Sequence, residues 1–425
     1  MKVAIIGTGI SGMAAAHHLQ DQADLTIFEA GQKVGGHANT VVVESERGFE
    51  SVDTGFIVFN DRNYPVFGRL LEELEVSSRP STMSFSVSDG DFEYTGRNIS
   101  GLFARRRNLA DPKFLRMLAE FPRFQRRLRQ LAAEGGQGPS LAEFLEQEGF
   151  SDHLREYVVV PLVSAVWSAD PEQMWTFPAG FLARFLDNHG LLSLRNRPQW
   201  RTVEGGSWSY VEALTEPFRD RIWTDTPIDR IERFPDRVEV TPRGGLTEAF
   251  DHVVVATHSD QALKMLTDAR PEEQEILGAI EYQPNEAVLH TDESLLPRRH
   301  AARACWNYHL TGEPTGRTAL TYDMNRLQTL ECERQFCVTL NLTDRIDPDK
   351  VIDVFQYEHP VFTPDAMAAQ ERWSEISGTG RTHYCGAYWR NGFHEDGAFS
   401  GLRAARDVLA SDRSAAGSRA GGLVP

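Results

Sequence analysis

Residues 2–12 read KVAIIGTGISG, and this stretch decides the fold. The apolar run Val3–Ile6 is short and ends in glycine, which predicts a buried β-strand. The next six residues, Gly7–Gly12, match the pattern GxGxxG, and the apolar residues Met13–Leu19 predict a helix. A second apolar run, Leu25–Phe28, predicts another strand. The stretch and its sequel therefore predict a βαβ unit.

The glycines of this unit suit a dinucleotide. Gly7 allows the tight turn, Gly9 lets backbone approach a pyrophosphate, and Gly12 lets the helix pack on the strand. Ser11 lies in the first helical turn, where free N–H groups and the helix dipole favour an anion. Glu29, at the end of the second strand, can accept hydrogen bonds from ribose hydroxyls. We therefore predict a dinucleotide-binding domain.

The residues after the second strand indicate which dinucleotide binds. Glu29 is followed by Ala30 and, after the spacing Glu-x5-Gly-Gly, by Gly35-Gly36-His37. This pattern resembles the extended FAD signature of the amine oxidase, phytoene desaturase and protoporphyrinogen oxidase superfamily. That superfamily usually has Arg where this chain has His37, which can donate a hydrogen bond without a fixed charge. Thr54-Gly55-Phe56 resembles the segment whose backbone runs along the isoalloxazine, and the resemblance implies FAD.

The resemblance implies an α/β fold in which a Rossmann-type FAD-binding domain is interleaved with an α+β substrate domain. The FAD-binding domain would comprise residues 1–57, 201–265 and 376–410. Residues 58–200 and 266–375 would form the substrate domain. The last stretch, 411–425, is rich in Ser, Ala, Gly and Arg, and we predict a flexible tail there.

Later returns of the chain would also contact the cofactor. The resemblance implies that backbone near Ile228 meets the adenine and that Ala256-Thr257, which ends an apolar strand, lies close to the cofactor. Gly386 follows another short strand. A helix opening with Glu395-Asp396-Gly397-Ala398 would direct its N-terminus at the flavin, and its dipole would stabilise a reduced, negatively charged flavin.

Several stretches resemble one bacterial subgroup, the predicted FAD-binding oxidoreductases related to the N-terminal flavoprotein region of plant cyclopropane fatty acid synthases. They include Val52–Asn60, Cys305–Tyr308, Thr321–Gln328 and His359–Thr363. Such bacterial proteins are associated with cyclopropane-type lipid methyltransferases. The resemblance therefore implies an unsaturated or modified acyl lipid as substrate and a lipid methyltransferase as partner.

The reaction class follows from residues that are missing as much as from those present. Amine oxidases use a lysine near flavin N5, and none of this chain's five lysines stands at the expected place, Lys264 included. With no second GxGxxG, a built-in NADPH domain is also disfavoured. We predict oxidation or desaturation of a fatty acyl lipid by hydride transfer to flavin. Redox-neutral double-bond isomerisation and a non-catalytic flavoprotein partner of a lipid methyltransferase are the alternatives.

The candidate acids and bases are His394, Tyr308 and Tyr322. His394 immediately precedes the flavin-facing helix turn, and a residue that caps the helix or supports its neighbours is the alternative. Ordinary packing is the alternative for the two tyrosines. Four aromatic residues could wall an apolar acyl tunnel or belong to the core, namely Trp306, Tyr388, Trp389 and Phe393. The histidines and cysteines show neither HExxH nor CxxC, so no metal site is predicted.

The composition of the chain limits its expected partners and its expected cellular compartment. The 425 residues carry a net charge of −17, which disfavours nucleic acid. Four cysteines and no signal-like or membrane-spanning apolar run predict a cytoplasmic protein. Residues 97–129, however, carry ten basic and two acidic residues, interleaved with Phe and Leu. This +8 segment could dock on an anionic membrane at its inner face, or it could be an ordinary Arg-rich helical surface.

Overall fold

The computed structural model of the chain describes residues 1–167, 173–190, 192, 197–311 and 316–420. The helices are α1 (Ile10–Leu19), α2 (Pro65–Glu73), α3 (Ile99–Leu102), α4 (Pro112–Glu134), α5 (Leu141–Gln147), α6 (Asp152–Leu154), α7 (Val160–Trp167), α8 (Ala179–Asn188), α9 (Trp208–Thr215), α10 (Ser259–Met265), α11 (Pro271–Gly278), α12 (Met324–Leu327), α13 (Pro364–Glu371), α14 (Trp373–Ile376) and α15 (His394–Ala420). The strands are β1 (Lys2–Ile6), β2 (Asp24–Phe28), β3 (Thr40–Ser45), β4 (Gly48–Asp53), β5 (Phe59–Asn60), β6 (Ser78–Pro80), β7 (Phe85–Ser88), β8 (Glu93–Thr95), β9 (Trp200–Val203), β10 (Ile222–Trp223), β11 (Ile228–Arg233), β12 (Val238–Pro242), β13 (Glu248–Phe250), β14 (His252–Val255), β15 (Tyr282–His290), β16 (Trp306–His309), β17 (Leu320–Asp323), β18 (Cys337–Leu340), β19 (Val351–Pro360) and β20 (Thr382–Tyr384).

A parallel sheet in the order β10-β2-β1-β14-β20 forms the centre of the nucleotide-binding part. Its strands β1 and β14 are apolar over Val3–Ile6 and Val253–Val255 because both faces of the sheet are covered. Helices α1 and α15 cover one face, and α10, α11 and the small antiparallel sheet β11-β12-β13 cover the other. The result is a three-layer arrangement.

Helices α1 and α15 pack unusually closely because small residues lie at their contact. A Cβ atom placed on Gly401 would come 2.1 Å from the carbonyl oxygen of Ser11, and one on Gly397 would come 2.6 Å from Ile10. Only glycine fits at such distances. This packing places the N-termini of α1 and α15 side by side at one edge of the parallel sheet.

A second, mixed sheet has the order β19-β15-β18-β17-β16-β7-β8, in which only β16 and β7 run parallel. Helices α3 to α8 pack against one end of it around a large cluster that includes Phe114, Phe124 and Leu145. Helix α4 begins cleanly because Pro112 occupies its first turn and the Asp111 side chain accepts hydrogen bonds from two backbone N–H groups.

The predicted fold class is confirmed: a Rossmann-type α/β unit interleaved with an α+β unit. The five parallel strands come from residues 2–28, 222–255 and 382–384, and the seven-stranded sheet comes from residues 85–95 and 282–360. Helix α15 continues to Ala420 through much of the predicted tail, and residues 421–425 lie outside the described ranges. No helix in those ranges is long and apolar enough to cross a membrane.

Candidate active site

A cavity of about 1050 Å³ opens at the carboxyl ends of the parallel strands. The residues that follow β1, β2, β14 and β20 all line it, which is where open α/β sheets bind ligands. The mixed sheet covers the opposite side with β15, β16, β17 and β19. This volume lies at the upper end of the range for small-molecule sites, about 300–1,000 Å³, so the cavity is suited to a large ligand.

The glycine turn after β1 forms an open cradle of backbone atoms. Gly7 has a φ of +100°, and a Cβ on Gly12 would come 1.9 Å from the Gly7 carbonyl oxygen. A Cβ on Gly9, in contrast, would meet nothing within 4 Å, and no side chain caps the N-terminus of α1. The first N–H groups of α1 therefore remain available to an anion, and the residues present suit a pyrophosphate.

Glu29 is held at the edge of this cradle by the protein itself. The backbone N–H and the hydroxyl of Thr8 both donate to Oε2, and Gly31 N–H donates to Oε1 at 2.8 Å. A carboxylate has about four acceptor positions, so one remains for a ribose hydroxyl. The turn and the acid thus fit the nucleotide half of a dinucleotide.

Three buried polar atoms that have no hydrogen-bond partner in the described residues belong to cavity-lining side chains. They are His37 Nε2, Trp306 Nε1 and Tyr388 Oη. Buried polar groups are almost always satisfied in folded proteins. Unpaired groups around a cavity of this size are consistent with a polar ligand.

The structure brings most of the predicted cofactor-binding residues to the cavity. Those that line it are Gly7, Gly9, Ser11, Glu29, Ala30, Gly36, His37, Gly55, Phe56, Ile228, Ala256, Thr257 and Gly386. Those outside the lining are Gly12, Gly35, Thr54, Glu395, Asp396, Gly397 and Ala398. Sequence spacing alone could not separate the two groups, because members of both lie next to each other in the same segments.

Glu395 and Asp396 hold the protein together at the start of α15. The Glu395 carboxylate accepts hydrogen bonds from Val66 and Phe67 N–H at 2.9–3.1 Å and so caps the N-terminus of α2. Asp396 accepts from the N–H groups of Asn391 and Phe393. Both side chains are therefore already bonded to backbone, and they position the helix start from outside the cavity.

His394 lines the cavity, and its neutral ring is held in place by neighbouring side chains. It stacks on Phe56 with ring centroids 3.7 Å apart, and its Nε2 lies 2.6 Å from the hydroxyl of Tyr210. Burial, together with nearby His37, lowers the pKa of His394 to about 3. One ring nitrogen is thus engaged within the protein, which matches a supporting structural role better than the acid–base role.

The two tyrosine candidates differ in position. Tyr322 lines the cavity and packs edge-to-face on Trp306 at 5.2 Å. Tyr308 is buried in a small apolar cluster with Ala165 and Leu320 and is not part of the cavity lining. The structure thus places Tyr322 in the cavity lining and Tyr308 outside it.

Sequence reasoning missed a group of aromatic and imidazole rings on one cavity wall. The ring of His37 lies 5.5 Å from that of His359, 6.5 Å from that of His258 and 5.0 Å from that of Tyr357. These residues come from the Gly35-Gly36 turn, the loop after β14 and strand β19, so no local motif joins them. No three His, Cys, Asp or Glu side chains among the described residues are placed to share a metal ion.

An apolar arm of about 70 Å³ extends from the main cavity toward the helical unit. Its lining is apolar except for His189, and six of its residues also line the main cavity. The shared residues are Met83, Ala165, Val166, Trp200, Trp306 and Phe393. Of the four aromatic residues predicted to wall a tunnel, Trp306 and Phe393 line the arm, Tyr388 lines only the main cavity, and Trp389 packs in the core.

The fold and this site define a flavoprotein with a Rossmann-type FAD-binding domain. A family model described as "Flavin containing amine oxidoreductase" matches residues 10–324, and the chain belongs to this family. Its cofactor is FAD. The residues named above would hold the nucleotide, and FAD supplies two-electron redox chemistry when bound.

Known proteins place the chain within the same fold. Protoporphyrinogen oxidase 2 of Arabidopsis thaliana is 24% identical over 179 residues, which are 41% of this chain and 34% of that protein. The chain thus matches about a third of that relative's length. Cyclohexylamine oxidase from Brevibacterium oxydans has a TM-score of 0.72 at 17% identity, over 97% of this chain and 99% of that one. A CLA-producing fatty acid isomerase from P. acnes has a TM-score of 0.67 at 16% identity, over 95% and 98%. Both structural likenesses show the fold alone.

Proposed function

We propose that the protein is an FAD-dependent oxidoreductase that oxidises or desaturates an unsaturated or modified fatty acyl lipid. The observation that carries this proposal is the apolar arm, which continues from the cofactor cavity between Trp306 and Phe393. Burying each CH₂ of a chain there would contribute about 0.8 kcal/mol of binding free energy. A charged or strongly polar substrate tail would gain nothing from such walls.

In this proposal bound FAD would supply the two-electron acceptor chemistry for the substrate. The chain's own residues bind and orient the acyl group and keep water out. Ala165 and Val166 leave room for the chain, and Trp306 and Phe393 contribute large apolar walls. Neutral His394 lines the cavity and stacks on Phe56.

Amine oxidation is the main alternative reaction, and the positions of the lysines argue against it. Of the five lysines, only Lys264 lines the cavity. Its position in the sequence did not predict this. Its ammonium is bonded to Asp260 at 2.7 Å, and its side chain is 74% exposed. This lysine therefore lies at the cavity's edge, beside Met265, and not within its interior.

The second candidate is redox-neutral isomerisation of a fatty acid double bond. It is favoured by the shared fold of the P. acnes fatty acid isomerase, together with the apolar arm. Anaerobic mixing of FAD-loaded protein with unsaturated acyl lipids distinguishes the two. Lasting bleaching of the flavin would support oxidation, and product without bleaching would support isomerisation. Activity of the purified protein alone would exclude a purely scaffolding role beside a lipid methyltransferase.

We also propose that the +8 segment docks on an anionic membrane. Its buried aromatic residues, Phe114 and Phe124, are 0% and 1% exposed and belong to the core, so they cannot be the anchors. Exposed apolar residues stand among exposed cations instead and form what we call the basic–apolar patch. The patch consists of Ile99, Leu109, Leu115, Arg106, Arg107 and Lys113. Apolar anchors surrounded by cations suit anionic lipid.

Vesicle flotation tests the basic–apolar patch. Arg105 is paired with Asp91 and Arg116 with Glu120, so Arg106, Arg107 and Lys113 are the better targets. Replacing these three by Ala should abolish flotation with vesicles that contain phosphatidylserine, because each cation contributes about 1 kcal/mol. Equal flotation of the variant and the parent protein would contradict the proposal.

A further inference from the structure

His359 is held by a relay of buried amides that starts at the backbone. Glu286 N–H donates to Asn341 Oδ1 at 3.0 Å, which fixes the orientation of the Asn341 amide and leaves its NH₂ group to donate elsewhere. That NH₂ group donates to the Thr318 carbonyl at 2.9 Å and to Asn285 Oδ1 at 2.8 Å. The Asn285 NH₂ group must therefore face His359 Nδ1, 3.0 Å away.

This relay determines which nitrogen of His359 carries the hydrogen. Because the Asn285 NH₂ group can only donate, Nδ1 must accept, and the hydrogen of the neutral ring is left on Nε2. Nε2 lies on the side of the ring away from Asn285, and the ring lines the cavity. The chain thus presents an N–H donor to whatever occupies the cavity.

The neighbouring groups keep this donor uncharged. Burial, followed by the nearby His37 and His258, lowers the pKa of His359 to about 3. His37 is itself neutral, with its pKa lowered to about 4 chiefly by burial. Tyr357 and Glu358, on the same strand, are the other titratable groups at this wall. His359 consequently stays a neutral donor across the physiological pH range.

We propose that His359 is a positioning residue whose Nε2–H, locked in one tautomer by Asn285 and Asn341, binds an acceptor oxygen inside the cavity. Two occupants carry such an oxygen: the flavin ring and the carboxyl or carbonyl end of an acyl substrate. The second of these rests on the proposed function, and the first does not. In either case a neutral donor favours an oxygen ligand over an ammonium group.

Nitrogen-15 NMR of histidine-labelled protein tests the tautomer and the ligand together. We expect His359 to show a protonated Nε2 and a bare Nδ1, and Asn285→Leu to abolish this preference. His290, whose Nδ1 accepts from Asp292 N–H, serves as the internal reference. A protonated Nδ1 on His359 in the parent protein would overturn the proposal.

Adding FAD and then oleate identifies which ligand supplies the oxygen that His359 binds. A shift of the His359 Nε2 signal on loading FAD alone assigns the flavin, whether or not the lipid proposal holds. A shift only on adding oleate to FAD-loaded protein assigns the acyl carboxylate. An Nε2 signal unmoved by both would contradict the proposal.

Binding measurements provide the second readout. His359→Leu should lower the affinity for the ligand that accepts this hydrogen bond roughly three- to tenfold, as expected for one neutral hydrogen bond. His359→Gln should recover most of that affinity, because its amide NH₂ group can also donate. His300→Gln, at an exposed histidine, is the matched control. Equal affinities of the Leu and Gln variants would argue that the ring only fills space.

Discussion

At the residue scale, the glycine turn is the part of the site that sequence predicts best. GxGxxG between two strands requires backbone approach at Gly9 and close packing at Gly12, and the structure has both. His359 could not be found in this way. Its donor role depends on Asn285 and Asn341 from two other strands, and their pairing is visible only when β15, β18 and β19 are in register.

The crowding at Gly12 gives a sharp prediction. Gly12→Ala should destabilise the protein and abolish FAD binding, because the added Cβ would come 1.9 Å from the Gly7 carbonyl oxygen. Gly68→Ala, in helix α2, is the same chemical change where nothing lies within 4 Å, and it should stabilise by about 1 kcal/mol. Thermal unfolding and flavin content measure both effects. Retention of FAD by Gly12→Ala would contradict our description of the cradle.

The apolar arm can be tested by filling it. Ala165→Phe, a change at a residue that lines both cavities, should slow turnover of long-chain acyl lipids at least tenfold and leave short chains nearly unaffected. Ala119→Phe, on the exposed face of α4, is the control for added bulk. Equal loss for long and short chains would show that the arm does not hold the acyl tail.

At the element scale, the strands and helices of the βαβ unit follow from local pattern, but the roles of α15's first residues do not. Glu395 and Asp396 stand where a flavin contact is predicted, yet their carboxylates cap α2 and the loop before α15. Which N–H groups an acid meets depends on helices far apart in sequence. Position next to a motif is therefore a weak guide to a side chain's partner.

A buried ion cluster joins β11, α11 and β20. Burial opposes ionisation of Glu273, but hydrogen bonds from Arg233, Arg270 and Tyr384 outweigh it and lower the pKa of Glu273 to about 2. The stability it contributes is thus complete above its ordinary pKa of 4.5 and is lost as pH falls toward 2. Glu273→Gln should cost about 3–5 kcal/mol at neutral pH, because it removes the buried carboxylate partner of Arg233 and leaves only the half-exposed Asp268.

Urea unfolding at several pH values measures this cluster. Between pH 6 and pH 3 the parent protein should lose more stability than Glu273→Gln, so the difference between them narrows in acid. Asp236→Asn, at an exposed carboxylate paired with Arg237, should change little at any pH. A constant difference across the range would show that folding does not shift the pKa of Glu273.

At the scale of the whole molecule, the interleaved architecture follows from the family resemblance, and the cavity forms where its two parts meet. Charge alone misleads here. The net −17 hides the +8 of residues 97–129, and only the structure separates the core residues of that segment from the exposed Ile99, Leu109 and Leu115. The arm likewise has no sequence signature, because its walls come from several separate stretches of the chain.

The central claim is that the cavity receives an acyl lipid beside the flavin, and anaerobic flavin reduction tests it most directly. FAD-loaded protein is mixed without oxygen with oleoyl lipid, cyclohexylamine or putrescine, and the flavin absorbance is followed. We predict lasting bleaching by the acyl lipid and none by either amine. Bleaching by an amine, with neither bleaching nor altered product from any acyl lipid, would contradict the account.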